Sequence, residues 1–131
     1  MTYTLTEENY LKAILNISLL NNRRASTNAI SEVIGTSAAS VSDMLKKLHD
    51  KKLIKYEKYK GVSLSKKGKN IAINILRKHR LWETFLVEKL NFGWDQVHLI
   101  AEQLEHINSE ELVDRIDKYL NYPKYDPHGD P

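Results

Sequence analysis

Residues 26–65 contain a pattern that few folds accommodate: two short amphipathic helices joined by a glycine turn, followed by an alternating strand. The first helix of the pair is predicted to begin at Ser26 and to end at Gly35, where a left-handed backbone carries no Cβ strain. Thr36 and Ser37 are predicted to cap the second helix, which runs from Ala38 to about Lys52. This spacing is typical of a helix-turn-helix.

The segment after the helix pair predicts a two-stranded hairpin. Residues 53–59, LIKYEKY, alternate apolar and polar side chains with a period of two, as a strand does. Lys60 and Gly61 are predicted to form the turn, and residues 62–65 the return strand. A helix-turn-helix followed by a hairpin is a winged helix, so we predict a mainly α protein that begins with a winged helix-turn-helix and a small β-hairpin wing.

Small and hydroxyl side chains begin the second helix of the pair, and lysines follow. Small side chains let a helix lie deep in the major groove of DNA, and hydroxyl and ammonium groups contact base edges and phosphates. Lysines interleaved with tyrosines in the wing suit phosphates beside the groove. For the helix or the wing taken by itself, the alternative to DNA contact is a polar surface that only faces solvent. The predicted DNA-contacting residues are Ser26, Thr27, Ser37, Ala38, Ala39, Ser40, Ser42, Asp43, Lys46, Lys47, Lys58 and Lys60. For Ser42 and Asp43, a role in complementing the helix dipole is the alternative.

The charge distribution favours a polyanionic partner for the first half of the chain. Residues 1–70 contain 13 Lys and Arg against 6 Asp and Glu, a net charge of +7, and residues 71–131 contain 7 against 11, a net charge of −4. A basic half suits nucleic acid and an acidic half suits cations, although such asymmetry also arises by chance. The absence of cysteine excludes disulfides, thiolate metal sites and cysteine nucleophiles. No signal peptide and no apolar run of about 20 residues is present, which predicts a cytoplasmic protein without membrane spans.

Four further helices are predicted outside this region. The first is expected to be capped by Thr6. A long helix follows the wing over residues 66–90, with Gly68 indicating that the regular helix begins one turn later. Two more are expected at residues 94–107 and at residues 109–122.

The helix predicted at residues 94–107 carries a strip of possible metal ligands beside its apolar face. The strip consists of His98, Glu102, Glu105 and His106. At about 100° per residue, these side chains fall within an arc of about 100°. The long helix before it adds His79 and Glu83, four residues apart on one face. Imidazole and carboxylate groups are nitrogen and oxygen ligands for divalent cations, so the pattern predicts a metal site. A simple interface histidine is the alternative for His79.

The residues described above make the chain resemble the DtxR/MntR family of metal-dependent transcriptional repressors, from about Thr6 to Pro131. The resemblance rests on residues 8–11 (ENYL), 37–42 (SAASVS), 77–83 (RKHRLWE), the wing and the His and Glu residues of 97–106. Residues 127–131, PHGDP, are similar to the linker that many members place before a C-terminal SH3-like domain.

The resemblance implies a homodimer that binds a palindromic double-stranded DNA operator when loaded with Mn²⁺ or Fe²⁺, and that represses genes of metal uptake. It implies an ancillary metal site of His79, Glu83 and His98. It also implies a primary metal site of Glu102, Glu105 and His106, to which Asn9 adds a ligand. We therefore expect a winged-helix DNA-binding domain at residues 1–70, a helical metal-binding and dimerisation domain at 71–122, and a tail or linker at 123–131.

The chain departs from the family pattern at three positions. Asn9 and Glu102 stand where iron-type members have sulfur ligands, and a carboxylate at position 102 favours Mn²⁺ or Fe²⁺ through harder ligation. Lys12 stands where short manganese-type members have a carboxylate. Its charge opposes a second ion nearby, which favours two separated sites or a single one over a binuclear centre.

Two other classes of function compete with a metal-sensing repressor. A winged helix that binds DNA constitutively would use the His and Glu strip only as a polar dimer seam. A metal-dependent hydrolase would use the same strip to hold a catalytic ion. The chain contains neither HExxH nor a glycine-rich phosphate loop, so we predict that it is not an enzyme.

Overall fold

A computed structural model describes residues 3–21, 24–57 and 61–125. These residues form α1 (Leu5–Asn21), α2 (Thr27–Ile34), α3 (Ala38–Asp50), β1 (Ile54–Glu57), β2 (Gly61–Leu64), α4 (Lys66–Leu90), α5 (Val97–Leu104) and α6 (Glu110–Tyr119). The mainly helical fold class predicted from the sequence is confirmed. The described residues fall into two compact units, whose boundary in the sequence lies between Ile73 and Asn74. Among them there is no helix of sufficient length and apolarity to cross a membrane.

The helix pair α2–α3 begins at the residues that the sequence indicated, and α3 ends at Asp50, slightly before the predicted end at about Lys52. The Ser26 hydroxyl accepts a hydrogen bond from the amide of Ala29 at 3.0 Å, and Gly35 ends α2 in the left-handed region with φ 81°. The Ser37 hydroxyl caps α3 by accepting from the amide of Ser40 at 3.1 Å. Satisfying these otherwise unpaired amides fixes where α3 begins, and therefore which of its side chains face outward.

The wing is joined to the helix pair by main-chain hydrogen bonds. β1 and β2 are antiparallel, with Tyr56 opposite Val62. Val62 also exchanges two backbone hydrogen bonds with Ala25, at 2.8 and 2.9 Å, so the segment before α2 extends the sheet by one bridge. Gly61, predicted to lie in the turn, instead begins β2 with φ 93°. A Cβ atom there would lie 2.3 Å from the carbonyl oxygen of Ala25, so this close approach requires glycine.

The first helix begins earlier than predicted. Thr4, not Thr6, precedes α1: its hydroxyl accepts from the amide of Glu7 at 3.1 Å, and its own amide donates to the Glu7 carboxylate at 3.0 Å. This reciprocal pair is a capping box, which requires a glutamate or glutamine three residues after the cap. Thr6 has Asn9 at that position, so the prediction of Thr6 as the cap was wrong.

The Glu7 carboxylate also ties α1 to the end of α3. It accepts a hydrogen bond from the ammonium group of Lys51 at 2.5 Å, and it is almost completely buried. Burial opposes ionisation of Glu7, but the hydrogen bonds from Lys51 and from the amide of Thr4 outweigh it, so the pKa of Glu7 is lowered. The carboxylate therefore remains charged in the folded protein at neutral pH.

The long helix α4 begins at Lys66, where the Ser65 hydroxyl accepts from the amide of Gly68 at 3.1 Å. The expectation that regular helix starts a turn after Gly68 was wrong. A Cβ at position 68 would lie 2.1 Å from the carbonyl oxygen of Leu53. Glycine at this position therefore marks close packing in the first turn of the helix, and not a delayed start.

The second unit contains α5, α6 and the part of α4 from Asn74 onward. Its apolar cluster consists of Leu81, Val113, Ile116 and Leu120, with Trp82, Phe85 and Leu112 packed against it. The guanidinium of Arg77 bonds to Asp117 at 2.9 Å and approaches Asp114 at 3.5 Å, which links α4 to α6. Burial acts against the charge of Arg77, but the two aspartates outweigh it and raise the pKa of Arg77. α5 ends at Leu104, so Glu105 and His106 lie just beyond the helix that was predicted to carry them.

We expect Gly61→Ala to lower the free energy of unfolding by at least about 3 kcal/mol, because the new methyl group meets a backbone carbonyl and the backbone has a positive φ. Gly35→Ala is the matched control: φ is also positive there, but nothing lies within 4 Å of the added Cβ. It should cost only about 1 kcal/mol. Urea unfolding followed by circular dichroism measures both, and equal losses in the two variants would contradict the close approach at Gly61.

We expect Glu7→Gln to lower the free energy of unfolding by about 1–2 kcal/mol at pH 7, through loss of charged hydrogen bonds. A lowered pKa in the folded state means that the carboxylate stabilises the protein above its ordinary pKa of 4.5, and that this contribution is lost as the pH falls through the lowered value. The difference from the wild type should therefore be constant down to about pH 4.5 and shrink below it. Urea unfolding at several pH values tests this, with the exposed Glu32→Gln as the control. A difference independent of pH would refute the ionised pair.

Candidate metal centre and nucleic-acid interface

The exposed surface of α3 carries most of the residues predicted to contact DNA. Exposed on α3 and at its cap are Ser37, Ala38, Ala39, Ser40, Ser42, Asp43, Lys46 and Lys47. Ser26 is also exposed, and Thr27 is half-buried at the start of α2. Lys58 and Lys60 lie outside the described residues. The opposite face of α3 is held in the core by Val41, Leu45 and Leu48. A helix with one fully buried face and small polar residues on the other can lie against a surface without rearrangement.

Three of the predicted metal ligands converge within the second unit. His79 and Glu83 lie on α4 and His98 on α5, and one potential ligand atom from each lies within 4.8 Å of the other two. Glu83 lies at the centre: one carboxylate oxygen is 3.4 Å from His79 Nε2, and the other is 3.6 Å from His98 Nδ1. Its side chain is only 1% exposed, so water contributes little to its solvation.

A second carboxylate orients the His79 ring. His79 Nδ1 lies 2.6 Å from a carboxylate oxygen of Glu105, which is completely buried. An ionised carboxylate can only accept a hydrogen bond, so Nδ1 is the ring nitrogen that would donate to Glu105. The other ring nitrogen, Nε2, faces Glu83 and is the atom that a metal ion would take as its ligand.

The His98 ring is oriented in the same way. His98 Nε2 lies 2.7 Å from a carboxylate oxygen of Glu102, one helical turn along α5. Because Nε2 lies beside that oxygen, Nδ1 is the ring nitrogen that faces Glu83 and could ligate a metal ion. Unlike the His79 pair, this one is open to solvent, with His98 59% and Glu102 46% exposed.

The donor set fits a divalent transition-metal ion. Two imidazole nitrogens and one carboxylate approach a common point, and each imidazole has its other nitrogen beside a carboxylate, as metal-binding histidines usually do. The separations are slightly longer than those of ligands that surround one ion at about 2.1 Å, so a small closure of the side chains would complete the site. Nitrogen and oxygen donors without sulfur suit Mn²⁺ and Fe²⁺.

The structure links the two groups of residues that the resemblance assigned to separate sites. Glu105 bonds to His79, and Glu102 bonds to His98. The Nε2 atom of His106 lies 3.6 Å from the second oxygen of Glu105. Asn9 lies half-buried on α1, in the first unit, and as a ligand it stays a prediction of the resemblance.

Lys78 was missed by the sequence analysis. It is 3% exposed, and its ammonium group donates to the carbonyl oxygen of Ile107 at 3.4 Å and to the side-chain oxygen of Asn108 at 3.2 Å. It therefore holds the segment that follows Glu105 and His106 against α4. A lysine beside a histidine gave no signal of this role, because its acceptors lie about thirty residues further along the chain.

Two family models together match nearly the whole chain. The iron-dependent repressor N-terminal DNA-binding domain matches residues 2–62, and the iron-dependent repressor metal-binding and dimerisation domain matches residues 65–131. The chain therefore belongs to the iron-dependent repressor family. It is a family of transcriptional repressors, and these are not enzymes.

Individual relatives agree with this assignment. The iron-dependent repressor IdeR of Mycobacterium tuberculosis is 34% identical over 102 residues, which are 78% of this chain and 44% of that protein. The transcriptional regulator MntR of Oceanobacillus iheyensis is 34% identical over 119 residues, 91% of this chain and 80% of that protein. The structure of the manganese regulator SloR superposes with a TM-score of 0.81 at 44% identity, covering 93% of this chain and 56% of SloR. The chain thus spans about half the length of IdeR and SloR.

Proposed function

We propose that this protein is a metal-dependent transcriptional repressor, which binds palindromic operator DNA as a homodimer when loaded with Mn²⁺ or Fe²⁺ and controls genes of metal-ion homeostasis. The observation that carries the proposal is the convergence of His79, Glu83 and His98, with one ring nitrogen of each histidine facing one buried carboxylate. This site belongs to a chain whose other unit is a winged helix.

On this proposal, His79, Glu83 and His98 hold one ion. Glu102, Glu105 and His106, with Asn9, form a second set of ligands. The bound ion supplies positive charge to a cluster of carboxylates that would otherwise repel one another. The protein's part is to hold the imidazoles in the correct tautomer through Glu105 and Glu102.

The assignment of functions to segments follows the sequence. Residues 1–70 bind DNA through α3 and the wing, residues 71–122 bind metal and pair two chains, and residues 123–131 form a tail or linker. In a homodimer, two copies of α3 face successive major grooves, whose half-sites are about 34–36 Å apart. We place the protein in the cytoplasm, where it meets both DNA and the metal pool.

Metal activation acts as a shift between populations. An ion that binds the DNA-competent form more tightly than other forms increases the fraction of competent protein, and the apparent DNA affinity rises by the same factor. A chain that bound DNA constitutively would have the same DNA affinity with and without metal. The ratio of these two affinities therefore distinguishes a metal-sensing repressor from a constitutive DNA-binding protein. Membership of a repressor family speaks against the third candidate, a metal-dependent hydrolase.

We expect Mn²⁺ to tighten binding of the protein to a palindromic AT-rich operator about 100-fold relative to the same solution with excess chelator, if about 1% of the metal-free protein is competent. Fluorescence anisotropy of labelled operator duplex measures this at one fixed salt concentration, because phosphate contacts make the affinity salt-dependent. Mg²⁺, which retains its water and prefers oxygen ligands, is the control ion. Equal affinities with Mn²⁺ and with chelator would exclude metal sensing.

We expect His79→Ala to weaken Mn²⁺ binding at more than one site. The substitution removes a ligand and also the hydrogen bond that holds Glu105, and loss of such an outer partner typically costs about 10–100-fold in metal affinity. Glu83→Gln is the matched control, because it removes a ligand of the same site and leaves the His79–Glu105 bond in place. Isothermal titration calorimetry should find one site lost in both variants, with the remaining affinity reduced at least about tenfold only in His79→Ala. Identical residual affinities would show that the two ligand groups are independent.

A further inference from the structure

Asp43 is an unusual residue for the face of α3 that is proposed to meet DNA. With about 100° between successive residues, its side chain points about 170° away from the mean direction of Val41, Leu45 and Leu48, which are buried. It is exposed, and its neighbours on that face, Ala39 and Ser42, are shorter. Among the exposed side chains of α3 that precede Lys46, the carboxylate of Asp43 is therefore the longest.

No structural role accounts for this carboxylate. Asp43 makes no hydrogen bond or ion pair with any residue in the part of the chain that the structure describes. The cap of α3 is Ser37, and Asp43 is the sixth residue of the helix, beyond the first turn in which an acidic side chain complements the helix dipole. Asp43 is therefore poorly placed to complement the dipole of α3, which was the alternative to DNA contact.

Against DNA, the same carboxylate is unfavourable unless it meets a hydrogen-bond donor. Duplex DNA carries one negative charge per about 1.7 Å of its axis, which repels an unpaired carboxylate. The major groove offers donors only at the N4 amino group of cytosine and the N6 amino group of adenine. The adenine amino group lies between two acceptors, N7 and the O4 of the paired thymine, whereas that of cytosine has an acceptor on one side only. Cytosine is therefore the base that a carboxylate tolerates best.

We propose that Asp43 is a specificity-determining residue, which accepts a hydrogen bond from the N4 amino group of a cytosine at one position in each operator half-site. The proposal rests on the proposed function. Lys46, three residues further on and also exposed, supplies a positive charge close to this contact. The guanine paired with that cytosine offers the O6 and N7 acceptors that suit an ammonium group.

The test is selection of DNA from a library of palindromes with randomised half-sites, in the presence of Mn²⁺, for the wild type and three variants of the full chain. The wild type should select cytosine at one position in each half-site. Asp43→Asn should select adenine there, because an amide pairs with N6 and N7 of adenine. Asp43→Ala should lose the preference at that position and keep the others. Asp50→Asn, at the exposed C-terminal end of α3, should match the wild type.

Anisotropy with single operators gives the size of the effect. Replacing the selected C·G pair by T·A should weaken wild-type binding about tenfold and Asp43→Ala binding less than twofold. If Asp43→Asn and Asp43→Ala select the same base as the wild type at every position, this inference is overturned and the proposed function stands. If the wild type selects no sequence in Mn²⁺, the proposed function and this inference both fail.

Discussion

The geometry of the candidate metal centre depends on one hydrogen bond, between His79 and the buried carboxylate of Glu105. It joins α4 to the residues just after α5, and it holds Nδ1 of the imidazole at Glu105. The other ring nitrogen, Nε2, is thereby directed toward Glu83. The exposed pair of His98 and Glu102 repeats this arrangement from the other side. Four side chains on two helical segments thus prepare a site around a fifth, before any ion is bound.

Local signals in the sequence predicted the elements that position the proposed DNA contacts. Ser26, Gly35 and Ser37 set the bounds of α2 and α3 through interactions with residues close to them in the chain. These bounds can therefore be predicted from the local sequence. The cap of α1 was misplaced because two threonines compete for that role. Only the side chain three residues later decides between them, in favour of Thr4. The role of Gly68 depends on a carbonyl of Leu53, a distant contact that no local rule contains.

The same distinction explains what could be predicted of the metal centre. A spacing of four residues predicts that His79 and Glu83 share one face of α4. The same spacing predicts that His98 and Glu102 lie one turn apart on α5. The bond from His79 to Glu105 and the contacts of Lys78 join segments nearly thirty residues apart. Periodicity extended α5 to residue 107, since apolar spacing alone does not show where a helix gives way to a turn. The helix ends at Leu104, and Glu105 is its C-cap, with its amide still donating to the carbonyl oxygen of Ala101.

The backbone pairing of Ala25 with Val62 separates the framework of the first unit from its outer surface. Main-chain atoms attach the wing to the segment before α2, and the small residues at 25 and 61 only make room for them. The exposed residues from Ser37 to Lys47 take no part in that pairing, whereas His49, near the C-terminal end of α3, contacts the ring of Tyr56 on β1. Mutations from Ser37 to Lys47 can therefore accumulate without changing the backbone pairing that attaches the wing. A lineage could thus acquire a new target sequence through a few substitutions on α3, while the scaffold that presents them stays constant.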